Sequence, residues 1–152
     1  MKIRLVNKTP DDFKVLADFL IHNFGKEHNM GKLGANQGHN LAKGALWVTK
    51  CMEHGAWVAI EEDKIIGSIG VYKTTPWYSD VEYYTDGWFY VLPEYRNSRV
   101  GSSLLGMARI YCEEQDKPLV VSIFNMDDTE NKIKILQHMG LKLIGATFMA
   151  GD

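Results

Sequence analysis

The stretch Trp88–Gln115, WFYVLPEYRNSRVGSSLLGMARIYCEEQ, decides how this chain is built. It opens with an apolar, aromatic run of strand length, Trp88 to Leu92. Pro93 ends that run, because proline has no N–H to give a sheet ladder. A short basic turn follows, Arg96-Asn97-Ser98-Arg99. Val100, Leu104, Leu105, Ala108, Tyr111 and Cys112 then recur at three- and four-residue spacing, the stripe of an amphipathic helix. Small residues, Gly101, Ser102 and Ser103, fill the first turn of that helix. A strand feeding a basic turn and such a helix makes an anion site. The free N–H groups of the first turn point outward, and the helix dipole favours negative charge. Gly101 has no Cβ to keep an anion off the backbone. Arg96 and Arg99 add charge-assisted contacts suited to phosphate. These residues read as a site for a phosphate-bearing ligand at a βα turn; an ordinary turn with two solvated arginines is the alternative. Neither G-x-x-x-x-G-K-S/T nor a G-x-G-x-x-G after a strand occurs, so the two best-known phosphate fingerprints are absent.

Working outward, 152 residues with 45% hydrophobic composition suit one domain, 1–152, with a sizeable core. A formal net charge of −2 argues against a nucleic-acid partner. Cys51 and Cys112 suggest no disulfide framework, so free thiols in a reducing cytoplasm are expected. No apolar run approaches the ~18–20 residues of a membrane span. The N-terminus MKIRLVNKTPDD does not read as a signal peptide, and a cytoplasmic location is expected.

In chain order, a strand is expected over Lys2–Val6. Thr9 then reads as a helix N-cap with Pro10 at the first helical position, and Phe13, Leu16, Ala17, Leu20 and Phe24 form the buried stripe. Gly25 is expected to stop this helix. The glycine-rich run from Gly25 to Asn40 reads as a mobile loop, either a lid or simply disordered. A second helix is expected over Leu41–His54. Ala56–Glu61 and Lys64–Tyr72 form a hairpin about an acidic turn, Glu62-Asp63. After a loop over Lys73–Glu82, the central strand spans Tyr83–Leu92. Pro118–Phe124 reads as a parallel neighbour reached by a right-handed crossover. A last helix over Thr129–Met139 and a last strand over Leu141–Met149 complete the pattern.

The run Val91-x-Pro93-Glu94-Tyr95-Arg96-x-x-Arg99-Val100-Gly101-Ser102-x-Leu104-Leu105 resembles the acyl-CoA-binding segment of the GNAT superfamily of N-acyltransferases. That segment usually reads V-x-P-x-Y-R/Q-x-x-G-x-G/A-x-x-L-L, and Arg99 stands here where its first glycine is expected. The resemblance implies an α/β (α+β) fold. Its central sheet is mixed and mostly antiparallel, with six to seven strands flanked by about four helices, and its fourth and fifth strands are parallel and splayed. It implies an N-acetyltransferase that moves an acetyl group from acetyl-CoA to a primary amine by direct attack. Cofactor contacts are implied for Phe89, Tyr90 and Val91 of the fourth strand, for Arg96, Asn97, Ser98, Arg99, Val100, Gly101 and Ser102 of the turn, and for Asn125. A backbone N–H of the fourth strand would polarise the thioester oxygen.

The amine needs a base, since an alkylammonium is no nucleophile at neutral pH. Glu82 and Asp86 are the candidates, with Asp80 nearby, and the pair Asp86-Gly87 marks a bulge or turn. Acidic residues at 80, 82, 86, 127 and 128 favour a cationic small-molecule or peptide amine. The family's leaving-group tyrosine falls at Leu136, so that acid is missing. Trp77 and Tyr78 are taken as acceptor-side walls. Cys51-x-x-His54 lacks a matching second pair, and no metal site is read. The oligomeric state is left open, with a homodimer as one arrangement. The alternative function is a catalytically weak CoA-binding or protein-interaction module that retains the fold.

Overall fold

The apolar and amphipathic runs become ten short elements in the computed structural model, which describes residues 1–27, 40–123 and 127–150, the side chains of 24–26 excepted. They are β1 (Lys2–Leu5), α1 (Pro10–Glu27), α2 (Leu41–His54), β2 (Ala56–Glu61), β3 (Lys64–Thr74), β4 (Tyr83–Val91), a 3₁₀ turn (Pro93–Tyr95), α3 (Val100–Glu114), β5 (Leu119–Val120) and α4 (Thr129–His138). The strands form one sheet in the order β1-β2-β3-β4-β5, antiparallel throughout except for the parallel pair β4/β5.

Local chemistry sets the helix starts. The Asp12 N–H donates to Thr9 Oγ1 at 3.3 Å, and the Lys43 N–H donates to Asn40 Oδ1 at 2.9 Å. The β2–β3 hairpin turns through Glu62 and Asp63, both at positive φ (47° and 61°) as a two-residue hairpin turn requires, and the short side chain of Asp63 is tolerated there.

Helices cover both faces of the sheet. Leu104, Leu105 and Ala108 of α3 are fully buried with Trp57, Ile66, Ile69 and Val71. Each such leucine contributes roughly 1.5–3 kcal/mol by leaving water. On the opposite face, Leu16 and Leu20 of α1 and Val48, Cys51 and Met52 of α2 close over Val58 and Trp88. Ser68 is the buried polar tie in the sheet. Its hydroxyl donates to Trp57 O (2.8 Å) and accepts from Trp88 Nε1 (3.0 Å).

Four expectations are corrected. Among the described residues the sheet has five strands, not six to seven. The tail Leu141–Met149 is not a strand: Leu143, Ile144 and Phe148 are 54%, 75% and 91% exposed, and no sheet pairing reaches it. Its apolar pattern suits a strand, but a strand exists only where a neighbour supplies its hydrogen bonds. β5 holds two residues rather than the seven of Pro118–Phe124, because the Ser122 N–H donates to the Asp86 carboxylate (2.8 Å) instead of to a ladder carbonyl. Gly25 does not stop α1, which continues to Glu27. Contacts of Glu27 with Tyr90 and Arg96 hold the last turn of the helix beyond that glycine. No helix among the described residues is long and apolar enough to cross a membrane.

Candidate active site

β4 is interrupted at Gly87. Across β3, Gly70 faces Trp88 and Val71 faces Asp86, so Gly87 is the extra residue of a bulge. The Asp86-Gly87 pair had marked this position in the sequence. The Gly87 carbonyl accepts from Trp47 Nε1 of α2 at 3.2 Å. A Cβ on Gly87 would stand 2.3 Å from Cys51 Sγ, deep in the α2 packing. Gly87→Ala is therefore expected to cost about 1–3 kcal/mol through overpacking, read as a lowered Tm in a thermal melt.

Past the bulge, the Leu92 N–H donates to Ile66 O of β3 at 3.0 Å. Strand alternation then turns the backbone groups of Phe89 and Val91 away from β3. On that side, among the described residues, β5 pairs only with Tyr84 and Thr85. The Phe89–Val91 edge of β4 thus faces a wedge that β5 has already left.

The basic turn closes one end of this wedge. Arg99 precedes α3 at φ −78° and ψ −2°, ordinary right-handed angles, so an arginine replaces the motif glycine without backbone strain. No side chain caps the helix from Arg99. Ser98 Oγ donates to Tyr95 O (2.6 Å) and accepts from the Val100 N–H at 3.3 Å. The helix's own ladder begins with the Ser103 N–H on Arg99 O (2.9 Å). Among the described residues, the N–H groups of Gly101 and Ser102 find no partner, which leaves two donors at the positive end of the α3 dipole. A Cβ on Gly101 would meet only Phe89 Cζ at 3.7 Å and Val91 Cγ2 at 3.8 Å. The bare donors therefore lie beside the splayed edge of β4. Val100 is buried and can offer only its backbone, whereas Asn97, Ser98, Arg99 and Ser102 are exposed.

The two candidate carboxylates are not brought together. Glu82 is held between Lys73 Nζ (2.8 Å) and Lys117 Nζ (3.1 Å). Lys73 first and Lys117 second hold its carboxyl below the usual range, which weakens it as a base. Asp86 instead sits at the wedge, half-buried, with Oδ1 on the Ser122 N–H. Loss of water pushes its carboxyl up to about 6, against the opposing pull of that N–H.

A family model, described as an acetyltransferase (GNAT) domain, matches residues 53–140. The chain belongs to the GNAT acetyltransferase family. No curated protein matches it significantly. Among solved structures, it is similar to the aminoglycoside N-acetyltransferase AAC(6')-Iy in complex with a bisubstrate analogue, CoA-S-monomethyl-acetylneamine. That likeness has a TM-score of 0.71 at 12% identity, over 99% of this chain and 97% of the other. It is also similar to a ribosomal-protein-alanine N-acetyltransferase from Brucella melitensis biovar Abortus 2308, with a TM-score of 0.64 at 12% identity over 100% of both chains. A probable acetyltransferase gives a TM-score of 0.69 at 18% identity, over 100% of this chain and 99% of that one. At these identities the likeness is one of fold.

Within the GNAT frame, Leu136 packs against the α3 core beside Met139 and Leu141. Asn125 and the segment 28–39, including most of the glycine-rich loop, lie outside the described residues. Trp77 and Tyr78 stand at the surface, 95% and 74% exposed, with their rings edge to face at 5.4 Å. Cys51 is a core thiol, pushed up to about 12 by burial.

Two residues of the site escape a reading of the sequence. Ser122 supplies the N–H that meets Asp86, at the point where β5 leaves the ladder. Glu27 reaches from α1 to Tyr90 and Arg96. Neither belongs to a motif, and no local pattern marks them.

Proposed function

We propose that this GNAT acetyltransferase uses acetyl-CoA as co-substrate and transfers the acetyl group directly to a cationic amine. The observation that carries this reading is the position of Gly101. Its neighbouring N–H donors lie at the start of α3, and its Cα faces Phe89 and Val91 on the splayed edge of β4. One end suits a diphosphate and the other an extended acyl-pantetheine arm. In this reading the Arg96–Ser102 turn holds the diphosphate. The backbone groups of Phe89 and Val91 align the arm, and one N–H polarises the thioester oxygen, whereas those of Tyr90 are turned to β3.

Asp86 takes the proton that makes the ammonium nucleophilic, directly or through a water. The amine nitrogen then bonds to the acetyl carbon, the C–S bond breaks, and the surplus proton of the nitrogen ends on the departing sulfur or in solvent. Thiolate leaves tolerably without a fixed acid, since a thiol has a pKa near ~8.5. Leu136 is consistent with that economy. Carboxylates at Asp80, Asp86 and Asp127 favour a positively charged acceptor, a class that includes aminoglycosides, polyamines and peptide amines. Residues 1–152 act as a single domain in this reading, in the cytoplasm, where the thiols of Cys51 and Cys112 stay reduced.

Isothermal titration with acetyl-CoA and with CoA, followed by a thiol-release assay over a panel of amines, tests the proposal. Binding of both, with release driven by at least one cationic amine, is the expected result. No binding overturns it. Binding without release for every amine favours a CoA-binding module that has lost turnover.

A further inference from the structure

Glu27 is the last residue of α1, and its carboxylate spans two groups of the candidate site. Oε2 accepts from the Arg96 guanidinium, and Oε1 accepts from the Tyr90 hydroxyl. Arg96 is held at two further points. Its Nε donates to Val91 O at 2.9 Å, and its guanidinium lies 5.5 Å from the centroid of the Tyr90 ring. Phe19 of α1 meets that ring edge to face, with the centroids 5.9 Å apart. Burial first, and the Glu27 hydrogen bond second, hold the Tyr90 phenol well above its usual range, so it remains a donor to Glu27.

Arg96 therefore occupies a carboxylate and a backbone carbonyl, and both compete with an incoming ligand. Glu27 cancels much of the positive charge that would draw a phosphate. The Val91 carbonyl lies at the end of the β4 edge that faces the wedge. Two of the five guanidinium N–H donors are committed in this way, Nε to Val91 and one on Nη2 to Glu27, so the pairing fixes the orientation of the fork and offsets its charge before any ligand arrives.

We propose that Glu27 is a positioning residue that parks Arg96 across the mouth of the wedge, and that the diphosphate of the cofactor displaces it. This rests on reading the Arg96–Ser102 turn as the diphosphate cradle. Displacement would free the guanidinium for phosphate and Val91 O for the arm of the same ligand. Parking lowers apparent affinity by the fraction of molecules already released. Removal of the carboxylate should then tighten binding, the opposite of what loss of an ordinary supporting contact does. Arg96 and Glu27 are 48% and 34% exposed, so solvent screening keeps the expected gain to about two- to fivefold.

The test is a double-mutant cycle by isothermal titration with CoA, using the full chain, Glu27→Gln, Arg96→Met and the double variant. Glu27→Ala is added because glutamine can still accept a hydrogen bond from arginine. Glu27→Gln should bind CoA about two- to fivefold more tightly, and Glu27→Ala at least as tightly as Glu27→Gln. On the Arg96→Met background the Glu27 change should have no effect. In turnover, KM for acetyl-CoA should fall by the same factor while KM for the amine stays put. Unchanged or weaker binding by both Glu27 variants overturns the parking role, as does a gain that persists without Arg96. Absence of CoA binding by the unmutated chain is a separate result: it removes the cradle itself, and this inference with it.

Discussion

Acetyl-CoA at a hundred times its Kd is expected to raise the melting temperature by roughly 5–11 °C, and Arg96→Glu combined with Gly101→Glu is expected to abolish the rise. The size follows from mass action. A ligand at that excess stabilises the folded state by about 2.7 kcal/mol, and each kcal/mol is worth about 2–4 °C for a domain of this length. The two positions are chosen for different reasons. A Cβ on Gly101 would make only ordinary contacts, at 3.7 Å and 3.8 Å, so substitution there starts without a clash. A glutamate at the start of α3 is even favourable to the helix dipole. Its carboxylate would repel an anion from the uncapped N–H groups without unfolding the helix. Reversal at Arg96 removes one of the two arginines of that turn and loses the ion pair with Glu27, a partly exposed contact worth about 1 kcal/mol at most. The variant should thus melt close to the unmutated protein in buffer and differ only when ligand is added. A thermal shift assay in both states separates the effects. No shift in the unmutated protein would refute the cradle.

Asp86→Asn is expected to lower kcat/KM by about 10²–10⁴, the usual worth of a positioned general base. The pH profile carries the sharper signature. With its carboxyl raised to about 6, Asp86 is protonated and idle below that pH, so kcat/KM of the native enzyme should climb through about 6 and level off above it. The asparagine variant should lack that limb.

Stability should move the other way. The folded-state pKa lies above the ordinary value of 3.8, so between 3.8 and about 6 the folded chain holds more protons than the unfolded one. Native stability therefore falls as pH rises through that window. Asparagine avoids the charge, yet its side-chain oxygen can still accept the Ser122 N–H. Asp86→Asn should melt higher than the native protein at pH 8, with the gap narrowing as pH falls from about 6 and closed by about 4. A kcat/KM within twofold of native would leave Asp86 as a pin between β4 and β5 and nothing more.

The strand–turn–helix from Trp88 to Gln115, the β2–β3 hairpin and the limits of α2 follow from the sequence by itself. Each rests on a local cause: an apolar period of two or of three to four residues, a proline without a donor, a glycine after the last helical turn, a two-residue acidic turn. The bulge at Gly87 belongs with them, because an Asp-Gly pair inside an aromatic strand is itself a local signal. Tertiary structure decided the remainder. It placed Glu82 between two lysines and Asp86 at the wedge, although the two carboxylates look alike in the sequence. It cut β5 to two residues by giving the Ser122 N–H a side-chain acceptor, and it left Leu141–Met149 without a strand partner. It also carried Glu27 from the end of α1 onto Arg96. Hydrogen-bond partners and burial of charge depend on which distant segment arrives alongside, and side-chain periodicity holds no record of that arrival.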